Sequence, residues 1–480
     1  MTIDVKAETM EMAEEAVKLG EQVCNEKDRA CESKAVEKIS SYREESNFPS
    51  DLKQHERKAL NELKSKLEEA ISGNTFFFNK EGEKKVADIP TEEELEEKEK
   101  PAGESKEGCE EEKNNGDEGT EEKPIECAKT PESDGNIEEE KDISIWGVPL
   151  LPSKGDDRTD VVLLKFLRAR DFKVNDAFQM LEKTLRWRKE YKIDSILDEE
   201  FGPDLTSAAY LSGTDRQGHP ICYNIFGVLD NEEIYQKTLA TEEKREQFLR
   251  WRVQLMEKGI QKLNFKPGGV NSFIQINDLK NSPGPSKKEV RSVASKAVAL
   301  LQDNYPEFVA KNIFVDVPFW YYALHSLISP FLTQRSKSKL VFARPSKVTE
   351  TLLKYVPIQE IPIQYGGMKR EEKFENEVSE LLIRAGSITS FEIPLPEAGT
   401  GITWDILALG WEVNCTVEFV PDNGNSYTMI IQKERKMCSE EAPVRWTFKN
   451  KEPGKIAITI GNASGKKKKV FYSYMCNSSS

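Results

Sequence analysis

Apolar residues first fall into a regular pattern at Leu52, Leu60, Leu63, Leu67 and Ile71, with polar residues between them. That spacing predicts an amphipathic helix over residues 50–72, with Ser50 as its N-cap. A single apolar stripe needs a cover, either the folded body or a partner or membrane surface. A denser run follows at Asp160-Val-Val-Leu-Leu-Lys-Phe-Leu-Arg-Ala-Arg170, where seven apolar residues stand beside a basic cluster. Thr159 is placed to cap a helix through Arg170, and Asn175 to cap the next, with Phe178, Leu181 and Leu185 on one face. The period then changes. Ala209–Leu211, Pro220–Phe226, Ser272–Asn277, Asn312–Val317 and Lys339–Ala343 read as strands. Between them lie a helix from about Glu242 to Leu263 and one behind the capping box Ser286-Lys-Lys-Glu289. Strands alternating with helices predict a largely parallel sheet with ligands near strand ends.

Beyond about Arg370 the helical periods stop. Residues 388–393, 402–409, 411–420, 427–432, 444–448, 456–460 and 470–475 are short β candidates, and Trp411, Val413, Cys415, Val417 and Phe419 alternate. Asp422-Asn-Gly424 is a turn signal. This grammar predicts an all-β sandwich.

Composition adds one feature. The chain is 480 residues long with net charge −15, and residues 91–140 alone hold 21 acidic and six basic residues, also a net of −15. Residues 79–142 have almost no aromatics, too little apolar area to offset ordering entropy, and are expected to be a disordered acidic linker. It is a solvated spacer, or an electrostatic brake on approach to an anionic membrane, deepened by phosphate at Thr130-Pro131. The eight cysteines include no C-x-x-C pair and read as reduced cytosolic thiols. No window carries 18 consecutive apolar residues, and no signal peptide is expected after Met1, so any membrane contact is expected to be peripheral.

Catalytic and nucleotide motifs are absent: no G-x-x-x-x-G-K-[ST], no G-x-G-x-x-G and no Gly-x-Ser-x-Gly. His55, His219 and His325 lack metal spacing. The expectation is no enzyme, no cofactor, no metal and no nucleic-acid partner, since no basic face with interleaved aromatics appears. The run Val317-Pro-Phe-Trp-Tyr-Tyr-Ala-Leu-His-Ser-Leu-Ile-Ser-Pro-Phe-Leu332 is too aromatic for an ordinary exposed helix. It is a buried core helix, or a lid over a lipid with Phe319, Tyr322, Leu327 and Phe331 at the cavity. Sequestering one acyl chain is worth on the order of 10 kcal/mol gross. Lys466-Lys-Lys-Lys469 falls between two predicted strands and is expected on a loop, where it blunts a sheet edge or contacts an anionic membrane at about 1 kcal/mol per lysine.

Leu164–Arg170, Asn304-Tyr-Pro-Glu307, Pro318-Phe319, Ser336-Lys-Ser-Lys339 and Tyr365-Gly-Gly367 resemble the CRAL-TRIO lipid-binding family in its phosphatidylinositol-transfer branch, and the β-rich tail resembles a GOLD domain. That order, with an acidic extension and Ser144-Ile-Trp-Gly-Val-Pro-Leu-Leu151, resembles the patellin family of plants, over roughly 143–478. The resemblance implies an α/β CRAL-TRIO domain with a helical N-terminal lobe, followed by a GOLD-like sandwich. The expected divisions are a polar region 1–78 with its helix, the linker 79–142, the lobe 143–200, the lipid-binding domain 201–370 and the sandwich 376–478.

The same resemblance places Arg170, Glu307, Ser336 and Lys339 at a lipid headgroup. Lys339 would face the phosphodiester, and Glu307 would accept from inositol hydroxyls and hold Lys339. An ordinary structural ion pair is the other reading. The chain departs from the branch at Asp171, where lysine is usual. The implied protein is cytoplasmic and membrane-peripheral, binds phosphatidylinositol and phosphoinositides as ligands, and acts in membrane trafficking and cell-plate formation, with trafficking proteins engaged through the sandwich. A carrier of a tocopherol-like hydrophobe and an adaptor working mainly through the sandwich are the alternatives.

Overall fold

The computed structural model describes residues 45–73, 143–282, 288–318, 334–370, 377–410, 412–438 and 442–477. The expected acidic linker, the lid residues Phe319, Tyr322, Leu327 and Phe331, the Ser286 cap and Trp411 lie outside them.

Three helices build the N-terminal lobe: α1 (Gln54–Ser72), α2 (Asp157–Ala169) and α3 (Val174–Glu190). The α1 stripe of Leu60, Leu63, Leu67 and Ile71 is buried in one core with Val161–Leu164 of α2 and Leu181 of α3. Burial of each such side chain contributes roughly 1.5–3 kcal/mol. Lys64 pairs with Asp160 at 2.7 Å, and Lys66 donates to Asn175 at 2.6 Å. The lobe therefore begins before the expected boundary at 143, and α1 is a part of it rather than of a polar tail.

The caps also differ from expectation. Residues Pro49–Asp51 form a separate 3-10 turn, and α1 starts after Lys53, whose backbone N–H donates to Glu56 at 3.0 Å. Asp156 rather than Thr159 caps α2, and Thr159 instead donates to the Pro149 carbonyl at 2.8 Å. Lys173 precedes α3, so Asn175 lies inside it. A short hairpin of β1 (Ser144–Ile145) and β2 (Val148–Pro149) turns through Trp146 and Gly147, both left-handed. It sets the Trp146 ring 4.7 Å edge-on from Phe308 and 6.0 Å from Phe166.

The central sheet runs β3 (Ala209–Thr214), β4 (Pro220–Ile225), β5 (Phe273–Asp278), β6 (Val309–Val315), β7 (Leu340–Phe342) in that spatial order. The first pair is antiparallel, and β4 through β7 are parallel. Alternation divides its two faces. Ile221, Tyr223, Ile274, Ile276, Ile313 and Val315 pack against the segment 348–368. Cys222, Gln275 and Phe273 turn the other way, toward α4 (Glu242–Ile260) and α5 (Lys288–Asn304). The close at Tyr365-Gly366-Gly367 is steric. A Cβ on Gly366, at φ +74°, would meet Thr349 Oγ1 at 2.2 Å, and one on Gly367 would meet the Ile361 carbonyl oxygen at 1.9 Å. Tyr365 then reaches Asp278 at 2.9 Å.

The β domain is a sandwich of two four-stranded antiparallel sheets, β13-β10-β15-β8 and β12-β11-β14-β9. Its strands are β8 (Ser379–Ile383), β9 (Ile388–Leu395), β10 (Gly401–Leu409), β11 (Val413–Pro421), β12 (Met429–Met437), β13 (Val444–Lys449), β14 (Gly454–Gly461) and β15 (Lys468–Asn477). Strand β8 was not expected from the sequence, because only Ile383 of it is buried. Leu407 and Phe471 leave the sandwich core and join that of the α/β domain. Asp405, 3 % exposed, receives Arg370 at 3.2 Å and Arg445 at 2.9 Å.

If α1 is integral to the lobe, truncating its stripe opens a core cavity. Leu63→Ala should lower the unfolding free energy by about 2–5 kcal/mol in urea denaturation; a change under about 0.5 kcal/mol would mean that α1 is only loosely docked.

Candidate functional site

Glu307 stands between α5 and β6 with a left-handed backbone, φ +54°. Its carboxylate meets Lys339 Nζ at 2.7 Å and Arg335 at 3.2 Å, both from the short helix α6 (Gln334–Lys339). Its carbonyl accepts from Lys165 Nζ of α2 at 2.8 Å. Arg335 also pairs with Glu45 at 3.1 Å, and Glu45 pairs with Arg168 at 2.9 Å. Arg168, in turn, donates to the Ser46 carbonyl at 2.6 Å and to Asn47. Four cations (Lys165, Arg168, Arg335 and Lys339) thus gather around Glu307 and Glu45, and Glu56 also acts on Arg168. The side chains of Lys339 and Arg335 keep 14 % and 25 % of their exposure, so the cluster is reachable from outside. Burial by itself would raise the Glu307 carboxyl, but Lys339 and then Arg335 outweigh it and hold the group below its ordinary range.

Of the four headgroup residues expected from the sequence, the fold joins Glu307 and Lys339. Arg170 ends α2 with its guanidinium on the Ala169 carbonyl at 3.0 Å, and makes no ion pair among the described residues. The Ser336 side chain lies outside the described set. Sequence reasoning missed Arg168, Arg335, Lys165 and Glu45. The available signal was the pair of arginines in Leu167-Arg168-Ala169-Arg170, where helical phase alone does not choose between them.

The lysine run is not uniformly a loop. Lys466 and Lys467 precede β15 and are exposed, whereas Lys468 and Lys469 are its first residues. Lys468 is 4 % exposed, with desolvation holding its ammonium below the ordinary range. Lys469 pairs with Glu380 at 2.6 Å. The expected four-lysine membrane contact is therefore reduced to Lys466 and Lys467, with Lys469 half-exposed beside them, because the strand's alternation turns Lys468 inward.

A second feature is a cavity of about 130 Å³ between the outer sheet face and helices α4 and α5, with mostly apolar walls that include Leu229, Phe248, Val290 and Val293. It is close in size to a cavity of about 150 Å³ that takes up benzene in another protein. That is room for part of an acyl chain. Farther along the same sheet, the rings of Phe314 and Phe342 stack at 5.3 Å, beside the place where the chain leaves the described residues at Pro318 and returns at Gln334. Among the described residues no helix is long and apolar enough to cross a membrane, and no group of three His, Cys, Asp or Glu residues could hold a metal ion.

Comparison with known proteins places these elements. Residues 59–183 match the family described as CRAL/TRIO, N-terminal domain, residues 205–367 the CRAL/TRIO domain, and residues 384–469 the Patellin-1-like, C-terminal GOLD domain. The first match starts inside α1, in keeping with that helix's place in the lobe. The chain is 50% identical to Patellin-4 of Arabidopsis thaliana, over 92% of its own length and 90% of that protein's. It is 41% identical to Patellin-3 of the same plant, over 94% and 81%. A protein named phosphatidylinositol transfer protein SFH5, from Kluyveromyces lactis, is 27% identical over 50% of this chain and 80% of its own.

Because the carboxyl of Glu307 is held low in the folded state, its contribution to stability is complete above the unfolded value of about 4.3 and fades as pH falls through the lower, folded one. Glu307→Gln should therefore cost about 1–3 kcal/mol at pH 7, less than the 3–5 of a fully buried pair. In urea denaturation the gap from the unaltered protein should narrow below about pH 4.3. A gap independent of pH down to 3 would remove the ion pair as its cause.

Proposed function

The chain belongs to the patellin family, and on that premise we propose that it is a peripheral membrane protein that binds phosphatidylinositol and phosphoinositides, without enzymatic activity, and works in membrane trafficking and cell-plate formation during cytokinesis. The observation that carries this reading is the Glu307–Lys339 pair, with Arg335 on the same carboxylate. Lys339 and Arg335 supply the positive charge a lipid phosphodiester needs. Glu307 holds both cations in place and has acceptor capacity left for inositol hydroxyls. The part-exposed cations Lys339 and Arg335 favour an anionic headgroup. The similarity to a phosphatidylinositol transfer protein of Kluyveromyces lactis supports the same class of ligand.

The acyl part of the lipid would lie along the outer sheet face, toward the cavity under α4 and α5. Lys466 and Lys467, exposed at the edge of the sandwich, would meet the anionic cytoplasmic leaflet. Arg170 and Ser336 remain part of the proposed headgroup region through their positions at the end of α2 and within α6, with Arg168 and Arg335 now the better-placed basic side chains. Partner proteins would be engaged through the sandwich, where Ile388, Tyr427, Met429 and Ile430 are exposed.

Two measurements test the reading. Lys339→Ala should reduce loading of phosphatidylinositol from vesicles about tenfold or more and leave phosphatidylcholine loading unchanged; equal loss of both lipids would sink the headgroup role. Replacing Lys466 and Lys467 by Ala should weaken sedimentation with anionic vesicles about thirtyfold at low salt, from about 1 kcal/mol per lysine. Unchanged sedimentation would rule out that loop as the membrane contact.

A further inference from the structure

The cavity beside the sheet contains a charge with no counter-charge among the described residues. Arg252 of α4 lines both the 130 Å³ cavity and a smaller one next to it, about 20 Å³, together with Gln275 and Leu301. Its neighbours on the helix, Trp251 and Val253, are buried in two different hydrophobic clusters, which aims Arg252 between them toward the sheet. Among the described residues its guanidinium makes no hydrogen bond and no ion pair; its one aromatic contact is with the adjoining Trp251 ring at 5.6 Å. Guanidinium groups stay protonated in proteins and are costly to bury unless paired.

The floor of the cavity explains why none of the described groups there fills that role. Asn224 Nδ2 donates to Asn277 Oδ1 at 3.0 Å, and Asn277 Nδ2 donates to Asn312 Oδ1, so the amides of β4, β5 and β6 are spent on one another. Gln275, one step along β5, is the polar floor residue whose side chain is left without a hydrogen bond among the described residues. Cys222 is close enough for its thiol and Arg252 to influence one another electrostatically, but burial raises the thiol's pKa and keeps it neutral. What remains is one cation and one amide facing a space otherwise walled by Leu229, Leu239, Phe248 and Val293.

We propose that Arg252 and Gln275 form an interior anion subsite, separate from the Glu307–Lys339 cluster, that takes the oxyanion of a single-chain amphiphile whose tail occupies the apolar part of the cavity. This rests on the reading of the sheet face as a lipid-binding surface, and adds to it a second polar anchor and a second ligand class. A guanidinium offers two parallel donors to a carboxylate or a phosphate, and Gln275 Nε2 would add a third. The oxyanion comes from a free fatty acid or from the phosphate of a lysophospholipid.

The test uses the full chain, stripped of lipid and titrated with cis-parinaric acid and with its methyl ester, which share a tail and differ only in the charge. The acid should bind at least tenfold more tightly than the ester. Arg252→Met should abolish that preference while leaving ester binding unchanged, and Arg252→Lys should retain part of it. Because the arginine makes no hydrogen bond or ion pair among the described residues, Arg252→Met should melt at or above the temperature of the unaltered lipid-free protein; a clear drop would assign Arg252 a structural role and overturn the proposal. Acid and ester bound equally by the unaltered chain would overturn the anion subsite alone, whereas binding of neither would overturn the lipid-binding reading of this face with it. Oleate and lysophosphatidic acid as competitors identify the source, since the stronger one names a carboxylate or a phosphate, and failure of both to displace the acid would count against the site.

Discussion

One buried ammonium holds the architecture in register. Lys165, 2 % exposed in the middle of α2, donates to the carbonyls of Asn271 and Glu307 at 2.7 and 2.8 Å and lies 4.3 Å over the Phe308 ring. Those carbonyls sit just ahead of β5 and β6, so a single side chain ties the helical lobe to the N-terminal ends of two central strands. Satisfying three acceptors with one cation offsets a burial that would otherwise be prohibitive. It also constrains Glu307, whose carbonyl must face α2 while its carboxylate faces α6. A left-handed backbone at a non-glycine residue, normally uncommon, is the local consequence.

The ionic cluster depends on that placement. Segments around residues 45, 168, 307 and 335 are brought within a few ångströms of one another, and each carboxylate is shared between two cations rather than paired one to one. A network of this kind is held mainly by geometry. Its carboxylates keep the cations from dispersing. The cavity under α4 and α5 has the opposite design, with apolar walls, amides that satisfy each other and one arginine without a hydrogen bond or ion pair among the described residues. The sheet thus separates two polar environments along one apolar face. Its reverse face is given wholly to packing and to the seat of the sandwich through Leu407 and Phe471.

Much of the fold was readable in advance because its signals are periodic and local. The alternation of Val413, Cys415, Val417 and Phe419 predicted a half-buried strand, and all four are buried. The stripe from Leu60 to Ile71 predicted a helix with one covered face, and the cover is α2 and α3. Caps were less legible. Ser50, Thr159 and Asn175 all have side chains suited to capping, yet the helices begin after Lys53, Asp156 and Lys173. Thr159 serves Pro149 in the hairpin instead, a tertiary demand that propensity does not register. Strand β8 escaped notice because only one of its residues is buried, so it carries almost no hydrophobic period.

By itself the sequence determined the kind and order of elements, the change from α/β to all-β grammar near residue 370, and, through family resemblance, that Glu307 and Lys339 belong to one site. Only the tertiary structure decided which basic residues join them. Arg168 and Arg170 are two positions apart with like chemistry, and the choice falls to Arg168 because Glu45, Ser46 and Asn47 come back across its side of α2. Likewise, four consecutive lysines look alike as a string, but the strand's pleat buries Lys468 and leaves Lys466 and Lys467 outside. Periodicity records which face of an element is covered. It does not record which distant segment does the covering, and that is where charges find their partners.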